Sequence, residues 1–344
     1  MSGKKTSSLL FKLYLLVLFL PCLEIALRIV GYEPYRRSAY SLSAEPAFCI
    51  LPDAQLGFAL HPGRFQVTIN DALTYTATHG PDSLRISRSQ PLDSVQEEIY
   101  LMGCSYAYGM GVDDSLSLGW RLQQALPQQR IRNFARPGFG NIQSFLQLKR
   151  QLKKDQKPTF VVVLYADFHD ARNVLLPVYR RHLHIGFERA NPILQDRMVQ
   201  SRMPYVRQHG EQIEIHWLDW REMYADWPGR QDVALINLGQ DIKDYWDSHQ
   251  IEVEHLNLWL FQEMQKLCDQ HNVPLLVAAL TQNEATEKRL RELSKLGIAN
   301  LDISLDLRDS VWTHHPVDSH PNAAAHAHYA AQLSDFLLKR LNLQ

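Results

Sequence analysis

The sequence predicts an α/β protein: a three-layer α/β/α sandwich built on a mostly parallel sheet. From about residue 96, short apolar runs alternate with helical patterns, and such alternation produces crossovers between parallel strands with helices on both faces. The first apolar run, Ile99–Met102, leads into Gly103-Cys104-Ser105-Tyr106-Ala107-Tyr108-Gly109-Met110-Gly111-Val112. A glycine-rich strand-to-helix turn of this kind lifts a side chain to the carboxyl edge of a sheet, where open α/β folds bind their ligands.

The chain has 344 residues with a formal net charge of −1 and 45% hydrophobic residues. That is enough for one large α/β domain with additions, in a globular rather than a disordered chain. With no basic stripe and no nucleic-acid module, nucleic acid is excluded as an expected partner. The four cysteines, Cys22, Cys49, Cys104 and Cys268, have no metal-ligand spacing and do not define a disulfide framework.

Residues 1–32 read as an N-terminal membrane anchor. Lys4 and Lys5 precede an apolar segment from about Leu9 to Val30, interrupted by Lys12, Glu24 and Arg28, which would snorkel or sit near the interfaces. No Ala-x-Ala-like cleavage site comes after it, and proline before Cys22 is a poor lipoprotein signal. An uncleaved signal anchor is expected, with the lysines inside and the remaining domain outside the cytoplasm, at the inner (cell) membrane and facing the periplasm.

Residues 33–95 read as a β-rich lead-in. Phe65–Ile69 and Leu73–Thr78 alternate with period two and are separated by Asn70-Asp71-Ala72, which predicts a hairpin. The main domain is expected over 96–344. Asp113-Asp114-Ser115-Leu116 reads as the capped start of a helix near 115–126. Next in order are Ile131–Ala135, a helix near 141–154 and Thr159–Tyr165. Then come a long helix near 249–270, Val273–Leu280, a charged helix near 284–296, Ile298–Leu305 and a last helix from about 322 to 341.

The stretch from about 174 to 247 breaks this rhythm. It is rich in Trp, Tyr, Arg and His, and Met203–Arg207 and Ile213–Trp217 read as a hairpin around His209-Gly210-Glu211. Such an insertion is either a lid or recognition element or a solvated cap that protects an edge. Its Trp217, Trp220, Trp227, Arg180, Arg181 and Arg189 suit stacking on sugars or pairing with acidic groups, and equally suit structural uses.

Near the far end, Asp318-Ser319-His320-Pro321-Asn322 places a carboxylate two residues from an imidazole. A hydroxyl needs a base to become a nucleophile, and the base needs an acceptor to fix its tautomer. Ser105, His320 and Asp318 supply those three roles.

Gly103-x-Ser105, Asn133-Phe134-Ala135-Arg136-Pro137-Gly138-Phe139-Gly140 and Asp318-Ser319-His320-Pro321-Asn322 resemble, in this order, blocks I, II and V of the SGNH/GDSL-type hydrolase superfamily. More narrowly, the chain resembles the bacterial membrane-anchored members found near exopolysaccharide and cell-envelope functions. The resemblance implies the flavodoxin-like fold of those hydrolases and an esterase acting on O-acyl or O-acetyl groups of an envelope glycan. It implies Ser105 as nucleophile, His320 as base and then acid, and Asp318 as the group that orients the imidazole. The backbone N–H groups of Ser105 and Gly138 would form part of the oxyanion hole.

The chain departs from that pattern twice. Cys104 stands where the Gly-Asp-Ser motif has aspartate. Block III should offer an asparagine after the third strand, where this chain has Tyr165-Ala166-Asp167-Phe168-His169-Asp170-Ala171-Arg172-Asn173. His169 is the expected replacement donor and Asn173 the alternative, unless the donor is missing altogether. The competing reading of His169 is a partly buried histidine hydrogen-bonded to Asp167 or Asp170.

Other chemistries compete with this one. Ala107 breaks the Gly-x-Ser-x-Gly elbow of α/β-hydrolases. Cys104 is a rival nucleophile because a thiol near a helix start is activated, although a small buried residue is its commoner role. His314, His315, Asp318, His320, His326 and His328 are dense, but without His-Glu-x-x-His spacing no metal and no other cofactor is expected. Two further functions use the same fold: an O-acetyltransferase passing the acyl group to a polysaccharide hydroxyl, and a non-catalytic glycan-binding or assembly protein.

Overall fold

A computed structural model describes residues 19–89, 97–154 and 157–341. Residues 1–18 of the predicted anchor, and the predicted boundary near 95–96, lie outside the described residues. Among the described residues no helix is long and apolar enough to cross a membrane. A helix over 19–29 (α1) is present. Its Glu24 and Arg28 pair with each other at 2.7 Å. Glu24 accepts the N–H groups of Ala234 and Leu235 at 3.0 and 2.8 Å, and Arg28 donates to the carbonyl of Asp232 at 2.9 Å.

The first strands are antiparallel. Strand β1 (Leu42–Glu45) pairs with β4 (Gly63–Ile69), and β4 pairs with β5 (Leu73–His79) around Asn70-Asp71-Ala72, while β2 (Ile50–Asp53) pairs with β3 (Gly57–Leu60). Alternation along β4 and β5 buries Phe65, Val67, Ile69, Tyr75 and Ala77 and leaves the intervening threonines toward solvent. Arg85 stitches this sheet to the main domain through antiparallel bridges to His79 of β5 and to Asn133.

The main sheet contains β6 (Glu97–Met102), β7 (Gln129–Asn133), β8 (Phe160–Tyr165), β11 (Leu275–Thr281) and β12 (Asn300–Leu305). Its order is β12-β11-β8-β6-β7, every pairing parallel. The strand order reverses between β6 and β8, and their carboxyl ends are therefore where a ligand cleft is expected. Both faces are buried, in alternation. Ile99, Leu101, Val162, Leu164, Leu276 and Ala278 face one core, and Tyr100, Met102, Val161, Val163, Val277 and Ala279 face the other.

Helices α3 (Leu118–Ala125) and α11 (Ala323–Arg340) cover the first face with Leu118, Leu122, Tyr329 and Leu333. Helices α4 (Asn141–Gln151), α9 (Val253–Gln270) and α10 (Glu284–Lys295) cover the second with Ile142, Phe145, Leu260, Phe261 and Leu293. This is the expected α/β/α layering, with helix stripes at the period that a buried face demands.

Several boundaries differ from the sequence reading. Ser117, not Asp113, caps α3 by accepting the N–H of Trp120. Asp113 and Asp114 instead accept the N–H groups of Thr76 and Thr78 on β5, at 2.7 and 3.0 Å. The helix expected from 249 starts at Val253, because α8 (Ala234–His249) ends just before it. The insertion holds helices α6 (Pro177–Arg189) and α7 (Pro192–Met198) as well as the expected hairpin, β9 (Arg202–His209) paired with β10 (Gln212–Asp219). A third apolar cluster, including Phe58, Phe139, Tyr179, Met203 and Trp220, welds the insertion to β3.

Candidate active site

Ser105 opens a single helical turn, α2 (Ser105–Tyr108), directly after β6. Gly103 permits the tight exit: a Cβ there would lie 2.9 Å from Ala107 Cβ and 3.0 Å from the carbonyl oxygen of Leu164. Gly109 closes the turn in the left-handed conformation at φ +89°, donating its N–H to the carbonyl of Ser105. The first turn of a helix leaves its N–H groups without partners inside the helix, so the amide of Ser105 is available to an oxygen placed beside the side chain.

His320 arrives from the opposite end of the chain. Strands β13 (Thr313–His314) and β14 (Asp318–Pro321) form a short antiparallel pair, and Asn322 caps α11 by accepting the N–H groups of Ala324 and Ala325 at 2.9 and 3.2 Å. The same Asn322 donates to the carbonyls of Val311 and Thr313, and Asn70 of the lead-in donates to that of Val317 at 2.8 Å. Held this way, His320 Nε2 is 3.0 Å from Ser105 Oγ, and its Nδ1 is 2.6 Å from Asp318 Oδ1. Tyr106 packs edge-on against the imidazole at 5.4 Å between ring centres.

Asp318 is 6% exposed. Burial pushes its carboxyl pKa up, but the hydrogen bonds and charge of His320 outweigh that and hold it below the ordinary value. The carboxylate therefore stays ionised and keeps a proton on Nδ1, which leaves Nε2 as the acceptor facing Ser105. The neighbouring thiol is in the reverse situation. Cys104 is wholly buried, and desolvation raises its pKa, so it lacks the thiolate character a nucleophile needs.

Gly138 lines the same cavity as Ser105 and His320. Arg136, 6% exposed, fixes the approach to it by donating its backbone N–H to the carbonyl of Gly103 at 3.1 Å and its Nη1 to that of Phe58 at 2.8 Å.

His169 and Asn173, the two expected replacements for the oxyanion asparagine, do not line the cavity; Asn173 and His169 Nδ1 bond elsewhere, and His169 Nε2 is buried without a partner. His169, on α5 (His169–Asn173), is wholly buried and does not line the cavity. Its Nδ1 lies 3.0 Å from Asn141 Oδ1, its ring packs edge-on against Tyr165 and Phe168, and burial together with Arg172 holds its pKa well below the ordinary value. The partner is Asn141, not Asp167 or Asp170, which bond Thr281 at 2.9 Å and Arg289 at 2.8 Å. Asn173 accepts the N–H of Ile142 at 3.0 Å and donates to Asn257, and so anchors the start of α4.

The cavity measures about 610 Å³. Ser38, Tyr40, Leu42 and Asn70 of the lead-in form one wall, and Arg172, His182 and His315 contribute to the rest. Sequence reasoning missed these because they come from segments far apart in the chain. The tryptophan and arginine side chains of the insertion, for which the sequence leaves both ligand contact and structural uses open, do not line it. Trp217 and Trp220 bond Gln55 and Ser201, each at 3.0 Å, and Arg180 bonds the carbonyl of Met223 at 2.6 Å. Arg189 steadies the wall from behind, donating to the carbonyls of Ser38 and Tyr40 at 2.5 and 2.9 Å. Among the described residues, no group of three or more His, Cys, Asp or Glu is placed to hold a metal ion.

No protein-family model matches the chain, and no curated protein matches it. Among solved structures, the chain is similar to TesA, with 12% identity over 71% of this chain and 99% of that one and a TM-score of 0.37. It is similar to the psychrotrophic esterase EstA from Pseudoalteromonas sp., with 11% identity over 72% and 100% and a TM-score of 0.39. It is also similar to a member of the lipolytic protein G-D-S-L family from Veillonella parvula DSM 2008, with 8% identity over 70% and 97% and a TM-score of 0.38.

Proposed function

We propose that this chain is a serine hydrolase of the SGNH type that cleaves carboxylic esters. Ser105 Oγ attacks the ester carbonyl while His320 Nε2 takes its proton. His320 then returns that proton to the departing alcohol oxygen, leaving an acyl group on Ser105. Water, deprotonated by the same nitrogen, releases the acid and restores the hydroxyl. Asp318 keeps the imidazole in the tautomer this sequence requires. The amides of Ser105 and Gly138 take the developing oxyanion, and a single donor of this sort contributes about 3–4 kcal/mol to the barrier reduction.

The observation that supports this reading is the 3.0 Å contact between His320 Nε2 and Ser105 Oγ, with Asp318 on the other ring nitrogen. The test is hydrolysis of 4-nitrophenyl acetate or butyrate by the purified protein, lost in both Ser105→Ala and His320→Ala. Activity that survives either change removes the mechanism.

The physiological ester is proposed to be an O-acyl, chiefly O-acetyl, group on envelope carbohydrate. The protein is proposed to be anchored in the inner membrane by residues 1–32, with its domain on the periplasmic side. The sequence of that segment, basic and then apolar, supports the placement. Digestion of the domain by protease added to spheroplasts is the expected result, and protection until the cells are lysed would reverse the orientation.

A further inference from the structure

Arg172 lines the cavity that holds Ser105, His182, Gly138 and His320. One of its N–H groups has a partner: Nη1 donates to the carbonyl of Phe139 at 3.0 Å. The guanidinium carbon lies 4.3 Å from the ring centre of Phe168 and 5.3 Å from that of Tyr179, which fix the plane of the group. Among the described residues no carboxylate pairs with it. Asp167 and Asp170 on the same segment are taken by Thr281 and Arg289, and Asp318 across the cavity is turned to His320.

An arginine clamped by two rings and one carbonyl, with most of its donor fork unused, is preorganised for an anion with two oxygens in a plane. A purely structural staple to Phe139 would need one neutral donor, not a lasting positive charge. The charge is felt inside the cavity, where burial and Arg172 together hold the pKa of His182 below its ordinary value.

We propose that the substrate carries an anionic oxygen group, a carboxylate or a phosphate, next to the ester presented to Ser105, and that Arg172 binds it. This rests on the esterase reading and narrows it: an acylated acidic sugar fits the cavity's charge, and a neutral one leaves Arg172 without a partner.

The experiment compares an O-acetylated methyl glucuronoside, the matching methyl glucoside and an acetylated glucose 6-phosphate as substrates of the purified full chain. A charged hydrogen-bonded pair of this kind predicts a kcat/KM advantage for an acidic sugar of roughly tenfold to a hundredfold, carried by KM. That advantage collapses toward parity in Arg172→Gln and is partly kept in Arg172→Lys, which retains charge without the planar fork. Whichever of the glucuronoside and the sugar phosphate is preferred identifies the anion.

Equal kcat/KM for acidic and neutral sugars in the wild type, or an undiminished preference in Arg172→Gln of unchanged melting temperature, overturns the inference and leaves the esterase reading intact. If no ester is cleaved, calorimetry on the Ser105→Ala protein decides separately. Binding of the glucuronoside or the sugar phosphate over the glucoside that is lost with Arg172 upholds the anion site while the esterase reading fails, and no such preference removes both.

Discussion

Asp318 and His320 are joined twice through one oxygen: Asp318 Oδ1 accepts both the ring Nδ1–H of His320 at 2.6 Å and its backbone N–H at 2.7 Å. The two-residue spacing makes this possible, because the carboxylate reaches over a single intervening residue to the amide and the ring alike. Ring orientation and local backbone are therefore set by the same group. Asp318→Asn presents an amide that can hold the geometry while favouring the wrong tautomer. A fall in kcat of about 10⁴-fold with little change in KM is expected. Steady-state kinetics on a soluble acetyl ester measure it, and a loss below tenfold would remove Asp318 from the mechanism.

The proposed nucleophile is tested by contrast between neighbours. Ser105→Ala is expected to lower ester hydrolysis by at least about a thousandfold. Cys104→Ser is expected to leave it in place, since the Cys104 thiol is wholly buried with a raised pKa. Labelling with iodoacetamide followed by peptide mass mapping provides a second reading: Cys104 stays unmodified in the folded protein. Activity lost with Cys104 and kept without Ser105 would transfer the role.

Arg85 holds the turn that carries Ser105. Its side chain has no exposed surface, and it donates to the carbonyls of Tyr108 at 2.9 Å, Val112 at 2.6 Å and Thr76 at 3.2 Å, to that of Gly109, and to Asp114 Oδ1 at 3.1 Å. Arg85→Met strands Asp114 and these carbonyls, and a loss of about 3–5 kcal/mol in urea denaturation is expected. Arg85→Lys recovers only part of it, because an ammonium cannot reproduce the fork. Wild-type stability in the methionine variant would contradict this account.

His79 contributes to acid sensitivity, alongside the buried His169 and His326, whose pKa values are also pushed down by burial. His79 is 4% exposed, with Nδ1 2.8 Å from the carbonyl of His61 and Nε2 2.8 Å from the hydroxyl of Tyr108. Burial pushes its pKa from 6.5 down to about 4, the bond to His61 opposing. Between those values the unfolded chain takes up a proton that the folded chain refuses, so stability is full above pH 6.5 and falls as the pH drops toward 4. Melting temperature measured across this range declines, and the decline becomes shallower in His79→Gln. An unchanged slope would place the acid sensitivity elsewhere.

Much of this molecule was legible in its sequence because the relevant patterns are short. Unbroken apolar runs in β6, β8 and β11 announce a sheet buried on both faces, and Gly103-x-Ser105 and Asp318-x-His320 announce groups that belong together. What was not legible depends on long-range packing. His169 looks like a donor in sequence, yet it is sealed beneath Phe168 and Tyr165. Asp113 looks like a helix cap, yet its carboxylate is drawn to β5 by an open backbone amide. Arg172 gains meaning only once β8 ends beside β6, and Tyr40 and Asn70 only once the lead-in folds back over the carboxyl edge.

The bridges at Arg85 also bear on how the chain can be dissected. A fragment beginning at Glu97 would retain Ser105, Asp318 and His320, but it would lack the clamp on the loop after Ser105, the amides that Asp113 and Asp114 engage, and the lead-in residues that line the cavity. The antiparallel strands are thus not a severable appendage. The unit that keeps all of these contacts starts ahead of Ser38, and a recombinant piece cut at the apparent junction loses them.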